Sequence, residues 1–267
     1  MPIDLATGQQ KIIDLAESGY GRTVGHSLYD YYMREWAGVN PDNGAGRWVV
    51  NYTDNNSNGK FDSGEQISSL HEYMIANPNA VVLEGTTEVY SQATQKFVGK
   101  SAVPDLRGAF SLNSGYKGLS VSMQFLYGIG GYAYDGAYAG FMRSNTAGSN
   151  NWHKDMLNRW QKPGDVTDVP RLADAYGTDS QFTSLSTRFL TKSNYLALNN
   201  VRVAYTLPRN YSESFGMSNL TFSVSGDNLW VSTARKGFNP TTSETGASST
   251  YTYSPLSTVT FGVKATF

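Results

Sequence analysis

The C-terminal half of the sequence alternates between apolar and polar residues with a period of two. Between Leu119 and Ile129 the odd positions carry Leu, Val, Met, Phe, Tyr and Ile, whereas the even positions are almost all polar or Gly. Successive side chains of a β-strand point to opposite faces, so this pattern predicts a strand with one apolar and one polar face. A helix of the same composition would place both kinds of residue on the same side.

The same alternation recurs in four further segments, which are residues 106–116, 201–207, 220–227 and 259–267. Lys117-Gly118 joins two of the five segments and predicts a tight hairpin turn. Each segment is close to the ~9–11 residues that cross a membrane as a tilted strand. The sequence therefore predicts an all-β, antiparallel fold.

The apolar faces of these strands have two possible environments. They can pack against a second sheet in a β-sandwich, or face lipid in an outer-membrane barrel. The connections are unequal, because those at 117–118 and 208–218 are short while those at 135–193 and 232–255 are long. Short turns at one end and long loops at the other are typical of outer-membrane barrels.

Composition excludes several other classes of protein. The 267 residues carry a net charge of -1 and only 16% charged residues, so we expect no nucleic-acid partner. The chain has no Cys, which excludes disulfide scaffolds and thiolate metal sites. No apolar run approaches the ~20 residues of a membrane helix, but alternating strands can still span a membrane. The N-terminus has no signal-peptide pattern, so we expect a cytoplasmic protein or a chain that lacks its original start.

Residues 54–65 match the spacing of a 12-residue calcium loop, D-x-[DN]-x-[DN]-G-x5-E. Gly59 stands at the sixth position, where the loop turns sharply. Calcium prefers ~6–8 oxygen ligands, and the loop offers side-chain oxygens together with one main-chain carbonyl. The candidate ligands are Asp54, Asn56, Asn58, the carbonyl of Lys60, Asp62 and Glu65. The alternative is a polar surface turn without a metal.

No catalytic site is predicted. His26, His71 and His153 lack the spacing of a zinc motif, and the G-x-S-x-G motif is absent, so we expect no enzyme activity. Aromatic residues in the long connections could contact a ligand or partner, or form the interfacial girdle of a barrel. The candidates for ligand or partner contact are Trp48, Trp152, Trp160, Tyr251 and Tyr253.

Eight short motifs, in the same order along the chain, resemble those of the SusC/RagA-like TonB-linked outer-membrane transporters of Bacteroidetes. They are REWAGVNP (34–41) with GRW (46–48), GKSAVPD (99–105), YKGLSVS (116–122), GGY (130–132), NRW (158–160) with PGD (163–165), RFL (188–190) with NYLALNNV (194–201) and AYTLP (204–208), VSGDNLW (224–230), and KGFNP (236–240).

The resemblance implies the C-terminal part of a large transmembrane β-barrel with long extracellular loops. Residues 1–104 would be a mainly extracellular loop and hairpin region with the calcium-like loop, and residues 105–267 would be the last barrel strands. It also implies an outer-membrane location and import of glycan or peptide oligomers. The partners would be membrane lipid, a SusD-like surface lipoprotein, and TonB through an N-terminal part that this chain lacks. The alternative function is a secreted calcium-dependent carbohydrate-binding β-sandwich.

Overall fold

The computed structural model describes residues 13–15, 19–144, 151–172, 178–249 and 251–267. Strands predominate, and the helices are short. The strands are β1 (Ile13–Leu15), β2 (Tyr20–Arg22), β3 (Asp30–Arg34), β4 (Trp36–Val39), β5 (Gly46–Tyr52), β6 (Leu83–Thr87), β7 (Gln95–Ser101), β8 (Leu106–Tyr116), β9 (Leu119–Ile129), β10 (Tyr132–Tyr134), β11 (Leu190–Lys192), β12 (Tyr195–Thr206), β13 (Asn219–Thr233) and β14 (Thr258–Thr266).

The α-helices are α1 (Leu70–Ala76), α2 (Gly136–Phe141) and α3 (Arg209–Ser214), and short 3₁₀ turns lie at Tyr90–Gln92, Lys154–Asn158, Thr178–Thr183, Thr187–Phe189 and Pro240–Thr242. Within the described ranges, no helix is long and apolar enough to cross a membrane.

The chain forms two compact units. One comprises Met1–Val103, Tyr134–Thr191 and Ser249–Tyr251, and the other comprises Pro104–Ala133, Lys192–Ser248 and Thr252–Phe267. The predicted membrane placement of residues 1–104 and 105–267 stays a prediction.

The second unit contains a five-stranded antiparallel sheet with the order β14-β13-β12-β9-β8. Its strands coincide with the five alternating segments of the sequence, so the predicted all-β antiparallel fold is confirmed. β8 and β9 pair along their whole length of 11 residues each, and β12 and β13 extend further, to 12 and 15 residues. The sheet is open, with β8 and β14 at its two edges.

The strand register places like residues side by side across this sheet. Antiparallel partners share a face, so a register that aligns the alternation of five strands separates apolar from polar side chains. On β9, β12, β13 and β14, one row consists of Val121, Val203, Val224 and Phe261, and the next row consists of Ser122, Arg202, Ser225 and Thr260. On β8 these rows continue with Ser114 and Asn113.

Lys117 and Gly118 form the two-residue turn between β8 and β9. Both have positive φ, 45° and 85° respectively, which is the conformation of the type I′ hairpin turn. The predicted tight hairpin is therefore confirmed. A Cβ on Gly118 would lie 2.5 Å from the carbonyl oxygen of Thr206, so the turn also requires Gly for lack of space.

The first unit contains two smaller sheets, with the orders β1-β2-β3-β7 and β4-β5-β6. β4 and β5 form an antiparallel hairpin, joined by residues 40–45. Trp48 is fully buried in its core, which it shares with Ala45, Ala93 and Phe182. The ring of Trp36 packs edge-on against Trp48, with 5.4 Å between the ring centroids.

Candidate functional site

The five-stranded sheet has an exposed apolar face. Side chains on this face include Leu112, Val203, Phe222 and Phe261, and Phe261 is 79% exposed. Apolar side chains from all five strands contribute to it, so the exposed surface is continuous rather than scattered. Large contiguous apolar surfaces are rare on soluble monomers and indicate an interaction with a protein or a membrane.

The opposite face carries mostly hydroxyl and amide side chains. The polar members, taken strand by strand, include Ser111, Asn113, Ser120, Ser122, Gln124, Asn200, Arg202, Thr206, Thr221, Ser223, Ser225, Asp227, Thr258, Thr260 and Lys264. We refer to this surface as the polar face. It is the candidate functional surface, because a solute that moves along it meets side chains able to both donate and accept hydrogen bonds.

Three short side-chain hydrogen bonds link neighbouring strands of the sheet. The Asn200 amide donates to Asp227 Oδ1 at 2.7 Å, and the Asn199 amide donates to Gln124 Oε1 at 3.0 Å. The hydroxyls of Thr206 and Thr221 are 2.9 Å apart. These bonds hold polar side chains in defined positions on the sheet.

The polar face also carries a few separated charges. Arg202 is exposed between Ser122 and Ser225, and Lys264 lies opposite Thr221. Asp227 is half-buried near the loop that precedes β14. Alternation alone marks these residues as polar positions, but only the strand pairing shows which of them are neighbours.

The calcium-like loop is a compact turn in the first unit. Asp54 Oδ2 accepts the Gly59 N–H at 2.7 Å, and Asn58 Oδ1 accepts the Lys60 N–H at 2.8 Å. Glu65 is buried, and its carboxylate accepts the N–H groups of Asn55 and Asp62 at 3.0 and 3.1 Å. The predicted ligand residues are thus arranged around a single turn of the chain.

Their present hydrogen bonds differ from those of a calcium ligand set. The amides of Asn56 and Asn58 donate to Asp62 Oδ2 at 2.8 and 2.7 Å, so they direct N–H groups rather than oxygens toward that carboxylate. The Asn56 bond, followed by the Asn58 bond, lowers the pKa of Asp62 below its ordinary value. In the described part of the chain, no group of three or more His, Asp or Glu side chains is placed to hold a metal. Calcium binding requires these amides to turn and stays a prediction.

The predicted ligand-facing aromatic residues occupy different environments. Trp48 is a core residue with no exposed surface, because Trp36, Tyr90 and Phe182 pack around its ring. Trp160 is half-buried, and its Nε1–H donates to the carbonyl of Pro41 at 2.9 Å. Trp152, Tyr251 and Tyr253 are exposed, the two tyrosines to 90% and 87%. These three residues are available for contact with another molecule.

The structure also brings together two histidines that are 45 positions apart in the sequence. The His26 ring stacks on Phe97 with 3.6 Å between centroids, and the His71 ring lies edge-on at 6.0 Å from His26. His26 Nδ1 is 3.2 Å from Asp30 Oδ2. Burial, and then the nearby His26, lower the pKa of His71. No motif in the sequence signals this pair, since the two rings come from separate segments.

Comparisons with known proteins agree with the motifs of the sequence. No protein-family profile matches the chain. A curated relative, TonB-dependent receptor P3 of Formosa agariphila, is 29% identical over 158 residues, which is 59% of this chain and 15% of that protein. This chain therefore spans only a small part of the relative's length.

Solved structures of the RagAB peptide importer match the fold over nearly the whole chain. The closed-closed state superimposes with a TM-score of 0.68 at 24% identity, covering 97% of this chain and 25% of that one. A second RagAB structure gives a TM-score of 0.65, also at 24% identity, with 98% and 25% coverage. The match establishes the fold shared by this segment and a quarter of the larger chain.

Proposed function

We propose that this chain belongs to the SusC/RagA-like TonB-dependent receptors of the outer membrane and forms part of the barrel wall of a nutrient importer. The proposed role of the chain is transport rather than catalysis. The polar face would line the solute path, and the apolar face would contact lipid.

The observation that carries this proposal is the two-faced sheet with its apolar side uncovered. Apolar burial stabilises by about 25 cal/mol per Å², so a face of exposed Leu, Val and Phe side chains is unfavourable in water and favourable against lipid tails. Strands that alternate apolar-out and polar-in are the pattern of outer-membrane barrels. Phe261 and Val263, 79% and 68% exposed, are suited to a lipid environment.

The two sheet edges support membership in a larger barrel. β8 and β14 each pair with one neighbour, which leaves one row of backbone groups on each without a strand partner in this sheet. Unpaired backbone groups cost several kcal/mol each in the hydrocarbon core, so spanning sheets close into barrels. We propose that further strands of the same protein pair with both edges.

The proposed solutes are oligomeric nutrients, either glycans or peptides. The proposed partners are a SusD-like surface lipoprotein, which would meet the long loops, and TonB, which would act through another part of the protein. The names of the similar proteins support this assignment, since one is a TonB-dependent receptor and the solved structures are of the RagAB peptide importer.

The second candidate was a secreted calcium-dependent carbohydrate-binding β-sandwich. A sandwich buries the inner faces of both sheets against each other. Leu112, Val203 and Phe222 are 56%, 40% and 46% exposed, which is the opposite of what a sandwich core requires. The exposed apolar face therefore favours the importer.

Cysteine labelling of the full-length protein in native outer membranes tests the wall assignment. This chain has no Cys, so once any Cys elsewhere in the full-length protein is replaced by Ser, a single introduced thiol reports only its own position. We expect a membrane-impermeant maleimide to label Ser122→Cys and Ser225→Cys readily, and Val121→Cys and Val224→Cys only after detergent extraction. Equal or reversed labelling of the two sets in intact membranes would rule out the wall assignment.

Uptake measurements test the transport assignment separately. Cells that make the full-length protein should accumulate fluorescent oligosaccharides or oligopeptides, and an uncoupler that collapses the proton gradient should stop that accumulation. Uptake that is unaffected by the uncoupler, or by deletion of the gene, would contradict an energy-dependent importer.

A further inference from the structure

A cavity of about 360 Å³ lies at the irregular section of the β12–β13 pair, in the second unit. Residues on both strands depart from regular pairing there. Asn200 pairs with Asp227, whereas Leu198 pairs with Trp230, so one residue on β12 and two on β13 are left without a partner. Bulges of this kind redirect side chains and are over-represented next to functional sites.

Asn228, one of the unpaired residues, has a left-handed backbone conformation with φ of 52°. Asn tolerates this conformation better than most residues, but it is still less favourable than a regular strand. The Ser257 hydroxyl donates to the Asn228 carbonyl at 2.6 Å, so the loop before β14 stabilises the bulge. Strained residues held by their surroundings concentrate at binding sites.

The cavity presents uncharged hydrogen-bonding groups. Asn199, Asn228 and Asn239 contribute carboxamides, and three further lining residues contribute hydroxyls. The Asn199 and Asn228 amides donate to Gln124 and to the carbonyl of Leu256. Within the described chain, neither the Asn199 Oδ1 nor the Asn228 Oδ1 accepts a hydrogen bond. Two oriented amide oxygens are thus available for O–H donors.

The remaining wall is apolar, and the lining contains no Asp, Glu, Lys, Arg or His. Leu126, Ala197 and Val231 are paired across β9, β12 and β13 on the face of Gln124, and together with Pro255 they supply this apolar surface. A charged group that entered would lose hydration without meeting an opposite charge, which is costly. A sugar ring instead has hydroxyls around its edge and C–H groups on its faces, which match amides on one side and apolar side chains on the other.

We propose that this cavity, which we call the bulge cavity, is a binding subsite for an uncharged sugar ring and discriminates against acidic sugars. This inference deepens the proposed importer function, because it places a neutral glycan among the imported solutes. Its size, near the lower end of the ~300–1,000 Å³ typical of ligand pockets, suits one or two rings.

The experiment uses the full-length protein purified from outer membranes in detergent. Calorimetric titrations compare the methyl glycosides of glucose, galactose and mannose with methyl glucuronide, methyl galacturonide and methyl mannuronide. We expect at least one neutral glycoside to bind, and its uronide, which differs only by the carboxylate, to bind at least tenfold more weakly. Equal binding of the matched acid would overturn the discrimination.

Two variants test whether the glycoside binds in the bulge cavity. Asn228→Gly removes the carboxamide while keeping a residue that adopts positive φ freely, and Ala197→Phe places bulk in the cavity lining. We expect each to weaken glycoside binding at least fivefold, whereas Asn113→Ala, which removes an amide elsewhere on the same sheet, leaves it unchanged. If Ala197→Phe does not fold, Asn228→Gly alone decides. Binding that is unchanged in Asn228→Gly would overturn the site.

A capped peptide, N-acetyl-trialanine amide, serves as the competing ligand class. If this peptide binds in an Asn228-dependent manner and no glycoside does, the sugar assignment is wrong. Energy-dependent uptake is measured in parallel on the same variants. Energy-dependent uptake by the wild-type protein without glycoside binding would contradict the subsite but not the importer function. Glycoside binding without energy-dependent uptake would contradict the importer function but not the subsite.

Discussion

The Asn200 side-chain amide donates to Asp227 Oδ1 at 2.7 Å, directly across the β12–β13 pair. This bond joins two strands beside the bulge, where regular backbone pairing is interrupted. We expect Asp227→Leu to lower the free energy of unfolding by about 1 kcal/mol, because the Asn200 amide loses its acceptor. Asp227→Asn keeps an acceptor oxygen and should cost less than half as much.

The measurement is the urea midpoint of the full-length protein in detergent. Thr258→Val is the matched control, because it removes only the longer contact of 3.5 Å to Asp227 Oδ2. If Asp227→Asn destabilises as strongly as Asp227→Leu, the negative charge and not the hydrogen bond is what the sheet requires.

The type I′ turn predicts opposite effects at two neighbouring positions. Gly118→Ala should lower the free energy of unfolding by more than about 1 kcal/mol, because Ala is strained at positive φ and its Cβ would meet the Thr206 carbonyl. Lys117→Asn should be neutral or stabilising, since Asn favours the first position of this turn. The effects of both substitutions are measured as the amount of protein at the cell surface and as the urea midpoint of unfolding. A tolerated Gly118→Ala would show that the turn rearranges.

Glu65→Gln tests whether the 54–65 loop binds calcium. We expect millimolar calcium to protect this loop of the full-length protein from proteolysis, and the substitution to abolish the protection, because the twelfth ligand supplies charge and two oxygens. Glu72→Gln, on the neighbouring helix α1, is the control. Equal cleavage of the wild-type loop with and without calcium would reject the site.

The pair of His26 and His71 predicts a response to acid. The pKa of His71 is lowered in the folded protein, so its proton binds more weakly there than in the unfolded chain. The stability that neutral His71 contributes is therefore present above the unfolded pKa of about 6.5 and is lost as the pH falls below it.

A histidine NMR titration of the full-length protein, with the His71 signal assigned by its loss in His71→Asn, measures this pKa directly. We expect the His71 pKa to lie below the ordinary value and to rise in His26→Asn, which removes the neighbouring positive charge. His153→Asn should leave it unchanged. A His71 pKa at or above the ordinary value would contradict the packing around Phe97.

The alternation of Leu119 to Ile129 and its four companion segments was sufficient to predict the strands, their two faces and the hairpin at Lys117-Gly118. These are local properties, because a strand's facial pattern and a turn's φ values depend on neighbouring residues in the chain. The short motifs then indicated the family. The spacing of Asp54 to Glu65 predicted a calcium loop, and the structure shows the hydrogen bonds that hold this loop.

Other features depend on contacts between residues far apart in the sequence. The burial of Trp48 requires Phe182, and the stacking of His26 requires Phe97. The bulge cavity depends on a register shift between β12 and β13, which no single strand encodes. Periodicity assigns a side chain to one face of a strand. Only the pairing of strands decides which side chains lie next to it, because those side chains belong to residues far away in the sequence.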